Sequence, residues 1–293
     1  MPEFDAYLMV DWSANGTPKT GKDSIWYCVV SCVHRDAQET TLSNPPTRHQ
    51  AVNEIASLLV SLVSQNRSVL VGFDFPFGYP AGFAARLGLD TAHPWRDIWG
   101  ELSRLVVDRE NNSSNRFEVA AELNRRLSGE PFPFWGIPPS RSIPYLTPGK
   151  SQPHSSHDLA EYRATERCVS GPQPVWKLFY PGSVGSQALL GIPWVWQLRN
   201  HPSLSRVTRI WPFETGLQTL PPRDEWEWLV LLAEIYPSLV SKGDDAAQVR
   251  ALAGHFGMLD GTGQLSSLFA GPSMLPQSAR TQVESEEAWI LGV

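Results

Sequence analysis

Acidic residues at the tips of apolar runs are the feature of this chain best suited to do chemistry. Asp11 follows the apolar residues 7–10, and Asp74 ends the apolar part of "RSVLVGFDFPFG" (67–78). Glu214 closes "RVTRIWPFETG" (206–216), Glu234 closes the apolar core of "EWEWLVLLAEIYPSL" (225–239), and Asp244 and Asp245 open "GDDAAQVRALAGHFGML" (243–259). A carboxylate fixed at the end of a buried strand is costly to desolvate and is usually held there for a job. If Asp11 and Asp74 end parallel neighbouring strands, their carboxylates meet at the edge where open α/β sheets form ligand crevices. Several carboxylates meeting there repel one another unless divalent cations sit between them. Such oxygen-rich sites suit Mg²⁺ or Mn²⁺. Two ions about 4 Å apart can activate a water and stabilise the leaving oxygen in phosphodiester hydrolysis. Each acid also has a plainer reading. An aspartate at a helix start caps the helix, which suits Asp245 at least as well as metal binding, and Glu214 and Glu234 could be rim residues or partners of arginines.

The elements that must position these acids begin as β-β-β-α-β. Residues 6–12 and 24–33 read as strands, and a short third strand is expected near 40–42. Apolar residues at Val52, Ile55, Ala56, Leu59 and Val63 give helical spacing within 47–66, and the strand that ends at Asp74 follows. From 79 to 205 regularity gives way to Pro/Trp/Gly-rich segments with a helix over 117–129, which together read as a large ordered insertion in one domain spanning 1–293. After it come a strand closing at Glu214, a run over 225–239 that periodicity alone leaves open between strand and helix, and a helix over 243–259.

Bulk composition narrows the function classes. Charged residues make up only 18% of the 293, while 25 prolines and 12 tryptophans point to long ordered loops. A net charge of -6 provides no global basic field, so nucleic-acid binding would need a local basic groove. No apolar run approaches the roughly 18 residues of a membrane span, and "MPEFDAYLMVDW" lacks the basic start of a signal peptide. With three cysteines and no Cys-x-x-Cys pair, neither a disulfide framework nor a zinc knuckle is expected, and Cys28 and Cys32 read as small core residues. The expectation is a soluble cytoplasmic protein.

"VDWSA" with Asp11, "VGFDFPFG" with Asp74, "EIYPSL" with Glu234 and "KGDDAAQVRALAG" with Asp245 resemble a family of predicted nucleases of the ribonuclease-H-like fold, known mainly as a domain of unknown function. "EYRATERC" (161–168) is similar to that family's Arg/Cys-containing middle segment. The resemblance implies a ribonuclease-H-like α/β fold, with a mixed five-stranded sheet, flanking helices and the 79–205 insertion. It implies Asp11, Asp74 and Asp245 as metal ligands and Glu234 as a fourth catalytic acid, contacting a second metal or orienting the attacking water. Lys19, Lys22, Arg163 and Arg167 are the candidate substrate-binding cations, and a nucleic acid or nucleotide-like phosphoester is the expected substrate. The chain departs from the family at Gln248, where many relatives carry a second aspartate three residues into the late helix. Relatives with this opening are also linked to cobalamin or molybdopterin biosynthesis, a chemistry for which no residue here argues.

Two other classes compete. Actin-like and sugar-kinase ATPases also open with a strand ending in Asp and a phosphate-holding turn, and "VDWSANGTPKTGK" has Gly16, Lys19 and Lys22 in place. It lacks the Asp-x-Gly tightness of those turns. "PGSVGSQALLG" (181–191) before a helix could hold phosphate on backbone N–H groups, but it lacks the Lys-[Ser/Thr] of a P-loop, and a loop leading into an N-capped helix is the favoured explanation. The third class is a non-catalytic binding protein that stacks bases on insertion aromatics, with Arg125, Arg126, Arg141, Arg163 and Arg167 as local charge. For most of these residues, packing and pairing with nearby glutamates is the simpler expectation.

Overall fold

The computed structural model describes residues 2–34 and 37–293. Six strands form one mixed sheet: β1 (Ala6–Asp11), β2 (Trp26–His34), β3 (Ala37–Ser43), β4 (Val69–Phe73), β5 (Thr208–Ile210) and β6 (Val230–Glu234), in the order β3-β2-β1-β4-β6-β5. β1 and β4 are buried at every apolar position, as their uninterrupted apolar sequences require of central strands. The β1–β2 and β2–β3 pairs are antiparallel, whereas β4, β6 and β5 continue parallel to β1. The sheet therefore has one strand more than the five expected. The run over 225–239 contributes β6, and 206–216 contributes only the three-residue β5 before Trp211-Pro212 removes a ladder donor.

Helices cover both faces. They are α1 (Arg48–Ser64), α2 (Phe83–Arg86), α3 (Pro94–Leu105), α4 (Arg116–Leu127), α5 (Gly185–Arg199), α6 (Asp245–Gly261), α7 (Leu265–Leu268) and α8 (Gln277–Gln282). On one face, Leu8, Val10, Val71, Phe73 and Leu232 pack with α1, α3, α4 and α5. On the other, Tyr7, Met9, Leu70, Leu231 and Ala233 pack with Val249, Leu252, Ala253 and Phe256 of α6. Residues 79–205 thus build most of the first layer. Their aromatics are packing residues: Trp99 and Trp176 are fully buried, and Phe134 stands edge-on to Trp176.

Thr47 caps α1 by accepting from Gln50 N–H. Two glycines let α5 seat closely. A Cβ on Gly191 would lie 2.3 Å from the Phe75 ring, and one on Gly185 would lie 2.3 Å from the Val175 carbonyl oxygen. Cys28 is buried in β2, as expected; the reading of Cys32 as a core residue lies outside the described side chains. Among the described residues no helix is long and apolar enough to cross a membrane.

Candidate functional site

The parallel β1–β4 register pairs Val10 with Phe73, so Asp11 and Asp74 leave the sheet side by side. Side chains alternate along a strand, and Met9 lies on the α6 face, so Asp11 and Asp74 follow it there. Asp74 N–H donates to the Val10 carbonyl (3.2 Å), and Asp74 Oδ1 accepts from Trp12 N–H (2.6 Å). The two carboxyls are neighbours whose interaction favours protonation of Asp11. Both titrate well above the usual carboxylate range. For Asp11, burial raises the pKa first, followed by the charge of Asp74 and then those of Asp245 and Asp23; for Asp74 burial again leads, opposed by the Trp12 N–H.

α6 supplies the third acid. Asp244 is the N-cap, its side chain accepting from Ala247 N–H at 2.9 Å, which leaves Asp245 free of capping duty. Asp245 Oδ2 instead accepts from Asp23 N–H (2.8 Å), and Asp23 holds a left-handed backbone (φ 54°) that aims this donor. Asp11, Asp23, Asp74 and Asp245 all line one open cavity of about 800 Å³. Gln248, one helical turn beyond Asp245, lines it too, with its amide donating to the Gly243 carbonyl (2.8 Å).

The opposite wall comes from the insertion. The loop from Leu178 to Ser183 and the first turn of α5 face the carboxylates, and Gln187 of α5 ties the walls together by donating to the Trp12 carbonyl. The N-cap position of α5, Val184, offers no side-chain cap, so the segment 181–191 is not the N-capped helix start that its sequence allowed. Arg116 completes this wall. Among the described residues lining the cavity it is the one cation beside four aspartates. Tyr180 stands at the lip, exposed and with a left-handed backbone (φ 79°), a conformation that costs a non-glycine residue energy. No motif in the sequence points to Arg116 or Tyr180, because both lie in the irregular 79–205 segment.

The other expected site residues go elsewhere. Glu234 pairs in register with Phe73, one residue before Asp74, and the alternation therefore sends its side chain to the opposite face of the sheet. There Arg163 binds it with two hydrogen bonds (2.6 and 2.7 Å), and the Phe77 N–H donates to it. Both residues are buried away from the cavity, so neither Glu234 as a catalytic acid nor Arg163 as a substrate contact is placed at this site. Arg167 is exposed and donates to the Tyr162 carbonyl. Lys19 lies 3.7 Å from Asp23, Lys22 is exposed, and neither lines the cavity, which removes the basic part of the phosphate-turn reading. Glu214 is gripped by Arg199 at 2.7 Å. Arg125, Arg126 and Arg141 pair with Glu122, Glu101 and Glu118.

Among the described residues no three of His, Cys, Asp and Glu are arranged as a ready metal cage. The chemistry of the donors nonetheless favours a cation, since two adjacent carboxyls lie beside two further acids in an open cavity. A comparison with protein-family models finds no match, and comparisons with curated proteins and with solved structures find none either.

Proposed function

We propose that the cavity is the active site of a divalent-cation-dependent phosphoester hydrolase, a nuclease-like enzyme on a ribonuclease-H-like fold. The observation that carries this reading is the adjacent Asp11–Asp74 pair at the ends of two parallel strands, lining one cavity together with Asp245. The β-β-β-α-β start with aspartates after its first and last strands supports the fold assignment. Asp11 and Asp74 would hold Mg²⁺ or Mn²⁺, with Asp245 as a third oxygen donor. When bound, such a cation supplies Lewis-acid activation of a water and neutralises charge at the phosphoryl group. The chain's own part is to surrender the Asp11 proton on binding, present the two carboxylates in register and hold the substrate against them from the α5 wall.

Calorimetric titration of Mg²⁺ and Mn²⁺ into wild type and Asp11→Asn, alongside DNA, RNA and nucleotide substrates, tests this reading. Loss of even outer-shell support costs metal sites about 10–100-fold in affinity, so a weakening of at least that size is expected in Asp11→Asn, together with loss of cleavage. Equal cation binding by the two proteins would refute the site. ATP binding without cleavage would move the assignment to the kinase-like class, and binding of nucleic acid without cleavage to the non-catalytic one.

A further inference from the structure

The carboxylates leave Arg116 unexplained. It opens α4 with its guanidinium over the Phe117 ring, 4.5 Å from the centroid. Its Nε donates to Ser186 Oγ (3.1 Å) and its Nη1 to Ser114 Oγ (3.2 Å), both uncharged partners. No ion pair to Arg116 is found among the described residues, whereas the buried Arg48 and Arg163 and the half-buried Arg199 are each gripped by carboxylates. Burial, with Arg48 and Arg141 nearby, pushes the Arg116 pKa down to about 10 against a smaller opposing pull from Asp108 and Glu118, which are themselves paired with Arg48 and Arg141, so it remains a cation at neutral pH.

The surroundings of Arg116 are fixed. Ser186 Oγ, which accepts from Arg116, itself donates to the Leu178 carbonyl (2.7 Å). Gly185 N–H is satisfied by the Lys177 carbonyl (2.9 Å), which anchors the first turn of α5 against the 175–178 segment. Gln187 in the same turn is bound to the Trp12 carbonyl beside Asp11. The positive end of a four-turn helix without a side-chain cap and an arginine without a carboxylate thus meet through Ser186, on the wall facing the aspartates. Nε and Nη1 of Arg116 are used and Nη2 makes no hydrogen bond among the described residues, so a planar cation with donors to spare lines the cavity, which suits a phosphate.

We propose that Arg116, backed by the first turn of α5, binds a non-bridging phosphate oxygen of the substrate and holds its phosphoryl group across the cavity from Asp11 and Asp74. The placement of the reacting phosphate rests on the hydrolase reading; the oxyanion subsite itself does not. A phosphate-bearing substrate then spans two walls of opposite sign, and Arg116 is a substrate-binding residue with no part in cation binding.

The experiment separates the two readings by testing phosphate without metal. Inorganic phosphate is titrated calorimetrically, in chelator-treated buffer, into Asp11→Asn, in which position 11 is neutral at every pH, and into Asp11→Asn/Arg116→Gln. Phosphate should bind the single variant, and the double variant should bind it about tenfold more weakly or worse, the usual worth of a charge-assisted hydrogen bond. Arg116→Lys in the same background should fall between, because a lysine keeps the charge and loses the planar fork. It also carries the test if the glutamine variant fails to fold. Absence of phosphate binding in Asp11→Asn, or equal binding in all three proteins, overturns the proposal. If phosphate binds as expected while wild type takes up no Mg²⁺ or Mn²⁺, the hydrolase reading fails and the oxyanion subsite stands.

Discussion

Asp11 and Asp74 leave the sheet on the face covered by α6, while Glu234, in register with the residue before Asp74, leaves it on the face covered by the insertion. The two groups share the same strand ends, with Glu234 buried and the two aspartates half-buried at the cavity, and their charges are handled in opposite ways. Around Glu234 four of the five guanidinium N–H donors of Arg163 are used: Nε on Glu166, Nη1 on Glu234 and the Glu287 carbonyl, and Nη2 on Glu234. Burial works against the Arg163 charge, but Glu234 and Glu166 outweigh it and raise its pKa further. Around Asp11 and Asp74 no ion pair forms among the described residues, and burial with the neighbouring acids raises both pKa values, which favours a bound proton. One cluster is complete within the chain. The other is completed only by a proton or by something from solution, and that difference separates a structural acid cluster from a site.

The completed cluster gives the largest expected effect. Arg163→Ala leaves Glu234 and Glu166 buried without a counter-charge, and breaking a buried pair from one side costs about 3–5 kcal/mol. Urea unfolding should show a loss of that size, and Arg163→Ala/Glu234→Gln should recover part of it by removing one orphaned charge. A loss below about 1 kcal/mol would mean that solvent reaches the cluster.

The open cluster should respond with the opposite sign. The folded-state pKa values of Asp11 and Asp74 are raised, so between the usual carboxylate value of about 4 and those raised values the folded protein holds protons that the unfolded chain has given up. The stability this confers is full at acid pH and is lost as pH rises through the raised values. An asparagine in place of Asp11 mimics the protonated state at every pH. Metal-free Asp11→Asn should therefore match wild type near pH 4 and exceed it by roughly 1–3 kcal/mol at pH 8. For a chain of this size each kcal/mol is worth about 2–4 °C in Tm. Melting curves against pH should diverge upward for the variant, and parallel curves would show that the pair is not strained.

How much of this was legible depends on what kind of signal placed each residue. Asp11 and Asp74 were readable because each follows an uninterrupted apolar run, and Asp245 because it opens an apolar-faced helix. The same rule selected Glu234 and could not reject it. Which face a strand-end side chain takes is set by register against the neighbouring strand, and a single strand's sequence does not contain that register. Arg163, read as a substrate contact, is the partner the sheet's other face requires. α5 escaped the periodicity test because Leu189, Leu190, Ile192, Pro193, Trp194 and Val195 make it apolar on all sides, as a helix buried in a layer must be. α3 did carry a start signal, Pro94 at its first turn, within a tryptophan-rich stretch that otherwise reads as irregular. Arg116 had no signal at all, since its meaning comes from the carboxylate it lacks.

The smallest expected effect addresses Gln248 on the α6 wall. Gln248 lines the cavity three residues after Asp245 on the same side of α6, and its amide serves the Gly243 carbonyl. Gln248→Asp adds a fifth carboxylate to a cavity lined by four aspartates and one arginine. Without metal the new charge lies near Asp245, and like charges at this helical spacing cost about 0.2–0.5 kcal/mol, so a slight fall in Tm is expected. With Mg²⁺ or Mn²⁺ present the sign should reverse, because an added oxygen donor and an added negative charge both favour a hard cation. A several-fold gain in calorimetric affinity, on the order of 1 kcal/mol, would place the α6 wall within the cation site. If the affinity stays level while Asp11→Asn still abolishes binding, cation binding belongs to the Asp11–Asp74 pair alone, and α6 serves only to hold Asp245 against the Asp23 turn.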